Sequence, residues 1–170
     1  MNSYFKYTKV LDVKSPQRGT KDSAGIDFFV PNWSADFLQL FESKNVHARI
    51  DESDNRIIIP SHADVLIPSG LHVHIPENTM LMVANKSGVA LKFKLIHGAH
   101  IIDSDYHEQC FIHLFNISDS DVSINFGQKI IQAILVPILL PVPEEIDTLE
   151  NLYNDVSTDR IGGFGSTGIT

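Results

Sequence analysis

The sequence predicts an all-β protein, a sandwich, jelly roll or barrel (a distorted barrel included), with one short helix. Three observations point there. Seven short runs are rich in Val, Ile, Leu or Phe, and turn residues stand between them. One run also alternates apolar and polar side chains with the period of two that a half-buried strand requires. Many short, punctuated strands bury their apolar faces by packing sheet on sheet or by curling one sheet on itself.

Taken in chain order, the opening MNSYFKYTKVLDVKS has no apolar signal core. From Ser34, SADFLQLFESKN sets Phe37, Leu38 and Phe41 on one helical face. Ser34 suits the N-cap, and Asp36 suits the positive end of the helix dipole. The polar stretch Asn45 to Asn55 reads as a surface excursion. Strands are expected over Arg56–Ile59, Val65–Ile67, Leu71–Ile75, Thr79–Ala84, Cys110–Asn116, Val122–Ile124 and Lys129–Val136. Pro60, Pro68-Ser69-Gly70, Pro76-Glu77-Asn78, Ser118-Asp119-Ser120 and Phe126-Gly127 supply the turns between them. Within LHVHIP, Leu71, Val73 and Ile75 alternate with His72 and His74, which places the two histidines on the solvent face. The acidic stretch 143–158 reads as an extended arm.

A chain of 170 residues with 43% hydrophobic and 20% charged residues suits one domain with a sizeable core. Residues 1–158 are expected to form it, with 159–170 as a flexible Gly-rich tail of the same domain. The net charge of −8 argues against direct nucleic-acid binding or a membrane-surface role, both of which need a basic face. The longest apolar stretch, Ala133 to Val142, is too short to span a bilayer and contains Pro137 and Pro141. Cys110 is the only cysteine, so no intrachain disulfide can form, and a reducing, cytoplasmic setting is expected.

Four segments stand out against the β background. Ser23-Ala24-Gly25-Ile26-Asp27-Phe28 offers a close backbone approach at Gly25 beside an acidic residue. Asn85-Lys86-Ser87-Gly88 follows an apolar run and presents amide, ammonium and hydroxyl groups, which bind phosphate. Ile101-Ile102-Asp103-Ser104-Asp105-Tyr106 offers two carboxylates on one side of an extended chain, with Asp103 at the edge of a packed region. A partly buried carboxylate there can act as a general base. Each of these three also suits a surface strand end or turn. The fourth segment, DRIGGFGSTG over residues 159–168, has four Gly in ten residues beside Arg160, Phe164, Ser166 and Thr167. Glycines let backbone N–H groups converge on a polyphosphate, and a lone Phe can stack on a base. Alone, it reads equally as a disordered tail. His97, His100, His107 and His113 lack the spacing of a helical zinc pair, and Cys110 sits on an apolar strand, so neither a zinc site nor a cysteine nucleophile is expected.

In order and spacing, SAGIDF, NKSGVALK, IIDSDYHEQCFIHLFN, GQKIIQAILVP and RIGGFGSTG resemble the five motifs of the trimeric deoxyuridine triphosphatases, the dUTPases. The resemblance runs from about Lys21 to Gly168, and Asn-Lys-Ser-Gly is most like the phage-type branch. It implies a jelly roll, a homotrimer with shared active sites, and conversion of dUTP and water to dUMP and pyrophosphate with Mg²⁺. Such an activity keeps uracil out of DNA and supplies dUMP for thymidylate synthesis. By motif match, Asp103 would deprotonate the water that attacks the α-phosphorus, and Ser87 would contact the α–β bridging oxygen. Gln132 would bond the water network, and Asp27 would hold Mg²⁺ through water. The nucleotide would be bound by Asn85, Lys86, Gly88, His100 and Tyr106, the last stacking on the deoxyribose. From the tail, Phe164 would stack on uracil, with Arg160, Gly163, Gly165, Ser166 and Thr167 around the phosphates.

Several positions depart from the family pattern. Asn85 stands where many relatives have Pro. Lys86 replaces a frequent Arg and loses its bidentate fork. His100 replaces a Gly that lets the base approach the hairpin backbone. His107-Glu108 replaces the usual Arg/Gln-Gly, and Ile161 alters the spacing after Arg160. Two other classes compete: a dCTP deaminase-like enzyme, whose Arg-Ser motif with a nearby Glu is not supplied by NKSGVALK, and a dUTPase-fold nucleotide sensor that grips a protein partner through residues 32–55. If the chain is viral, the compartment would be the host cytoplasm.

Overall fold

The computed structural model describes residues 5–155 and residue 157. The chain divides into two compact units, Met1–Leu139 and Leu140–Thr170. The first holds every strand among the described residues. Its largest sheet has five antiparallel strands in the order β10 (Ile101–Ile102), β8 (Thr79–Asn85), β13 (Lys129–Pro137), β3 (Ile26–Phe29), β2 (Gln17–Arg18). A second sheet orders β6 (Asp64–Pro68), β11 (Phe111–Asn116) and β9 (Leu95–His97), and a third orders β12 (Val122–Asn125), β5 (Arg56–Ile59) and β4 (Arg49–Asp51). A two-stranded sheet pairs β1 (Lys6–Lys9) with β7 (Leu71–His74). The fold is mostly β, and the strands form separate sheets rather than a closed barrel.

Alternation along these strands feeds one core. Ile57, Ile59, Val65, Ile67, Leu71, Leu81, Leu114, Ile124 and Ile131 are all inaccessible or nearly so. In β7, Leu71 and Val73 are buried while His74 is exposed and His72 half-buried, as the period-two reading requires. Gly70 connects β6 to β7 at φ +71°, a left-handed conformation that side chains with a Cβ adopt only with strain.

The helix expected from Ser34 is α1 (Ala35–Lys44), and the Ser34 hydroxyl accepts the Phe37 N–H at 3.1 Å. Phe37 and Phe41 are its fully buried face. The expectation of a single helix needs correction. Among the described residues there are also α2 (Ser87–Phe93) and, within the second unit, the single turn α3 (Leu149–Leu152). The sequence reads Asn85-Lys86-Ser87-Gly88 as a turn that ends an apolar strand, and a Gly at 88 gives no local helix signal. Burial of Val89 and a left-handed cap at Lys94 carry α2 instead.

The stretch Asn45 to Asn55 is likewise more than a surface excursion. It contains β4, which pairs with β5, and Asp51 organises the turn between them by accepting from the Ser53 hydroxyl at 2.6 Å. Asn45 ties α1 to β6: its Nδ2 donates to Leu66 O at 2.9 Å, and its Oδ1 accepts from Leu66 N at 2.8 Å. The segment is therefore part of the body; Val46 within it and Trp33, just before α1, are exposed large apolar side chains.

Candidate active site

The central sheet assembles three of the motif segments. In β13, Gln132 lies opposite Asp27 of β3 on one side and Ala84 of β8 on the other. Gln132 Nε2 donates to the Asn85 carbonyl at 2.9 Å. A Cβ on Gly25 would come within 2.7 Å of Gln132 Cδ, so only glycine lets that amide lie against the backbone.

Asp27 is 4% exposed. A carboxylate this buried requires partners, and it has two: Lys86 Nζ at 2.5 Å on Oδ1 and Lys129 Nζ at 3.3 Å on Oδ2. Lys129 is the third residue of the fourth motif segment and the first of β13, yet nothing local in the sequence singles it out. Only the sheet register shows that it reaches Asp27. Asn85 uses its Oδ1 to accept from His97 N at 2.7 Å and from His97 Nδ1 at 2.9 Å, anchoring β9. That bond sets the proton of the neutral His97 ring on Nδ1. His97 has its pKa lowered, first by burial and then by repulsion from His100, whose ring lies 5.4 Å away. Ser87 and Gly88 are exposed, and the space where a Gly88 Cβ would project is open.

The third segment lies elsewhere on the same sheet. Strand β10 pairs Ile102 with Leu81, whereas Asn85 pairs with Ile131. Leu81 and Asn85 are four positions apart along β8, roughly 13 Å at the rise of an extended strand. Asp103 therefore stands well away from Lys86 and Ser87 of its own chain. It is exposed and begins a turn in which Tyr106 N donates to Asp103 O at 3.2 Å. This corrects two expectations: Asp103 is not partly buried within one chain, and Asp103 and Asp105 do not lie along an extended strand. The physical reason is that β10 has only two residues and ends at the sheet edge, so the chain leaves the sheet at Asp103 and turns into solvent.

Asp103 and Tyr106 line a cavity of about 290 Å³ together with Ala99, Ile101, Val83 and Cys110, close to the smaller ligand sites in volume. The Tyr106 hydroxyl donates to Gln109 O at 3.1 Å. Its pKa is raised by burial first, then by Cys110 and Glu108. Burial pushes the Cys110 thiol up to about 11, which keeps it protonated and unreactive near neutrality. His100 is exposed, and its carbonyl accepts from Val83 N at 2.8 Å. A more open depression of about 540 Å³ lies near Arg49, Asp51, Arg56 and Asp121, but those charges already pair with one another or with Asp54. Arg160, Gly163, Phe164, Gly165, Ser166 and Thr167 lie outside the described residues.

Known proteins are similar to this chain in sequence and in fold. The dUTPase family model matches residues 50–168. The mitochondrial deoxyuridine 5'-triphosphate nucleotidohydrolase of Dictyostelium discoideum is 32% identical over 97% of this chain and 77% of that one. The Oryza sativa deoxyuridine 5'-triphosphate nucleotidohydrolase is 37% identical over 66% of this chain and 63% of its own length. Among solved structures, the Staphylococcus bacteriophage 80alpha dUTPase with dUPNHPP superposes with a TM-score of 0.75 at 21% identity, covering 99% of this chain and 100% of that one. A mutant dUTPase of phage phi11 of S. aureus, described with a structural Mg(II) ion, gives a TM-score of 0.67 at 19% identity over 86% of this chain and 99% of that one. The chain belongs to the dUTPase family. No helix among the described residues is long and apolar enough to cross a membrane.

Proposed function

We propose that this protein is a dUTP diphosphatase: water attacks the α-phosphorus of dUTP, the α–β bridging P–O bond breaks, and dUMP and pyrophosphate leave. The observation that carries the reading is the convergence of Asp27, Asn85, Lys86 and Gln132 on one end of the central sheet, within a chain whose family model spans residues 50–168.

Asp103 is the general base, a role worth roughly 10²–10⁴-fold. Ser87 donates to the bridging oxygen where charge develops, and Lys86 and Lys129 supply positive charge at the phosphates. Tyr106 packs on the deoxyribose, and the base enters the cavity behind it. Gln132 holds the Asn85 carbonyl and with it the loop that presents Lys86 and Ser87. By motif match, Phe164 would bind uracil and Arg160, Ser166 and Thr167 the phosphates; these residues lie outside the described ones.

Mg²⁺, when bound, neutralises phosphate charge. Among the described residues no three His, Cys, Asp or Glu side chains converge, which suits an ion held mainly by the triphosphate and water. Asp27, with a lysine on each oxygen, fits contact through water rather than direct ligation.

The separation of Asp103 from Ser87 within one chain supports a site completed by a second copy, and so the homotrimer that the family resemblance implies. Asn85-Lys86-Ser87-Gly88 supports placement in the phage-type branch. The single, unreactive thiol suits a reducing compartment such as the cytoplasm.

The test is pyrophosphate release with Mg²⁺ from dUTP, dTTP, dCTP and UTP. Selective turnover of dUTP that drops by roughly 10² or more in Asp103→Asn is expected. A folded wild type that hydrolyses none of the four would sink the activity. Turnover of dCTP with release of ammonia would point to the deaminase instead.

A further inference from the structure

The hairpin that walls the cavity is held by a side chain outside every role assigned above. His113, on β11, makes two bonds to the segment that leads into β10. Gly98 N donates to the His113 carbonyl at 2.9 Å, and Ala99 N donates to His113 Nδ1 at 3.1 Å. Because Nδ1 accepts, the neutral ring carries its proton on Nε2, which donates to Asp64 Oδ2 at 3.1 Å. Asp64 lies on the neighbouring strand β6, so the ring orientation is set from both sides. Phe115 packs against the imidazole at 4.7 Å between centroids.

Gly98 completes the arrangement. A Cβ there would come within 2.7 Å of His113 Cε1, so the ring lies against bare backbone. Residues Ile112, Leu114 and Asn116 form the buried face of β11, and His113 belongs to the other face. Core packing does not demand an imidazole at this position. The ring supplies an acceptor for a main-chain N–H that no strand partner takes. That N–H belongs to Ala99, which lines the cavity with Asp103 and Tyr106.

We propose that His113, oriented by Asp64, is a positioning residue that fixes the Gly98–Ala99–His100 backbone and so sets the shape of the pocket for the nucleotide base. The proposal rests on the reading of this cavity as the base pocket of a dUTP diphosphatase. It names a determinant of pyrimidine selectivity that never touches the base. With His100 in place of the usual glycine, the backbone there carries an exposed side chain, and a fixed main-chain path keeps that side chain clear of the pocket.

The test uses His113→Val, which keeps a strand-forming residue and removes both ring nitrogens, and His113→Gln, which returns a side-chain acceptor. The measurements are kcat and KM for dUTP, dCTP and dTTP, with amide exchange at Ala99. In His113→Val, Ala99 should exchange faster, KM for dUTP should rise and dUTP-over-dCTP discrimination should fall by roughly tenfold, with kcat little changed. His113→Gln should recover part of the loss. If His113→Val does not fold, Asp64→Asn should show a smaller shift of KM in the same direction. Unchanged KM and discrimination in a folded, active His113→Val would overturn the proposal and leave the activity standing. A wild type that turns over no nucleotide would remove the activity itself and the base-pocket role with it, whatever Ala99 exchange showed.

Discussion

Gly25 and Asp27 show how two residues two positions apart carry opposite requirements. Asp27 brings a charge into a buried position and needs Lys86 and Lys129 to hold it there. Gly25 brings nothing, and its bare Cα makes room for the Gln132 amide. Gly25→Ala would force that amide or the sheet backbone to shift. Overpacking of this kind costs about 1–3 kcal/mol. The expected outcome is a lower urea midpoint at unchanged m-value, together with loss of most activity as the Asn85 loop loses its anchor. A variant with full stability and full turnover would mean that Gln132 has free room to move. Gly25 is legible from sequence as a close approach, but its partner is not. Asp27 and Gln132 lie more than a hundred positions apart, and only strand pairing sets them opposite each other.

At the scale of elements, α1 is announced by its own residues and α2 is not. Ser34, Asp36 and the Phe37–Phe41 stripe mark α1 through local chemistry alone. The end of α1 depends on a distant contact: Asn45 mimics a strand residue by exchanging two hydrogen bonds with Leu66 of β6. Asn45→Ala would strand the Leu66 N–H and carbonyl in a half-buried position, at a cost of about 1–3 kcal/mol. Urea denaturation should report that loss while dUTP turnover at low denaturant stays near wild type. A change below experimental error would show that water replaces the amide. Helix α2 gives no comparable local signal, because its seven residues include Gly88 and bury only Val89. The short strands β2, β9 and β10 are equally unreadable, since two or three residues cannot display a period.

At the scale of the whole molecule, the dominant fact is that the candidate site is divided. Asp103 follows the edge strand, and Ser87 follows the far end of β8. If the two halves meet between copies, variants that each lack one half can complement. Asp103→Asn mixed with Ser87→Ala, after dissociation and reassembly, should regain a measurable fraction of wild-type activity although each alone is nearly inactive. Failure to regain activity in mixed, reassembled oligomers would place both residues in one copy's site. A sedimentation mass near that of a single 19.0 kDa chain would exclude sharing altogether.

The sequence by itself determined that the protein is mostly β, where its longer strands and its main helix lie, and to which family it belongs. Those properties live in local periodicity, capping chemistry and ordered motifs, each read within a few residues. Only the tertiary structure decided which motif residues touch. It paired Asp27 with two lysines, turned Asn85 inward to hold His97, and set His113 against Gly98 and Ala99. It also separated Asp103 from Ser87 along β8. The physical reason is register: antiparallel pairing joins residues distant in sequence, and a shift of one position would send each of these side chains to the opposite face of its sheet.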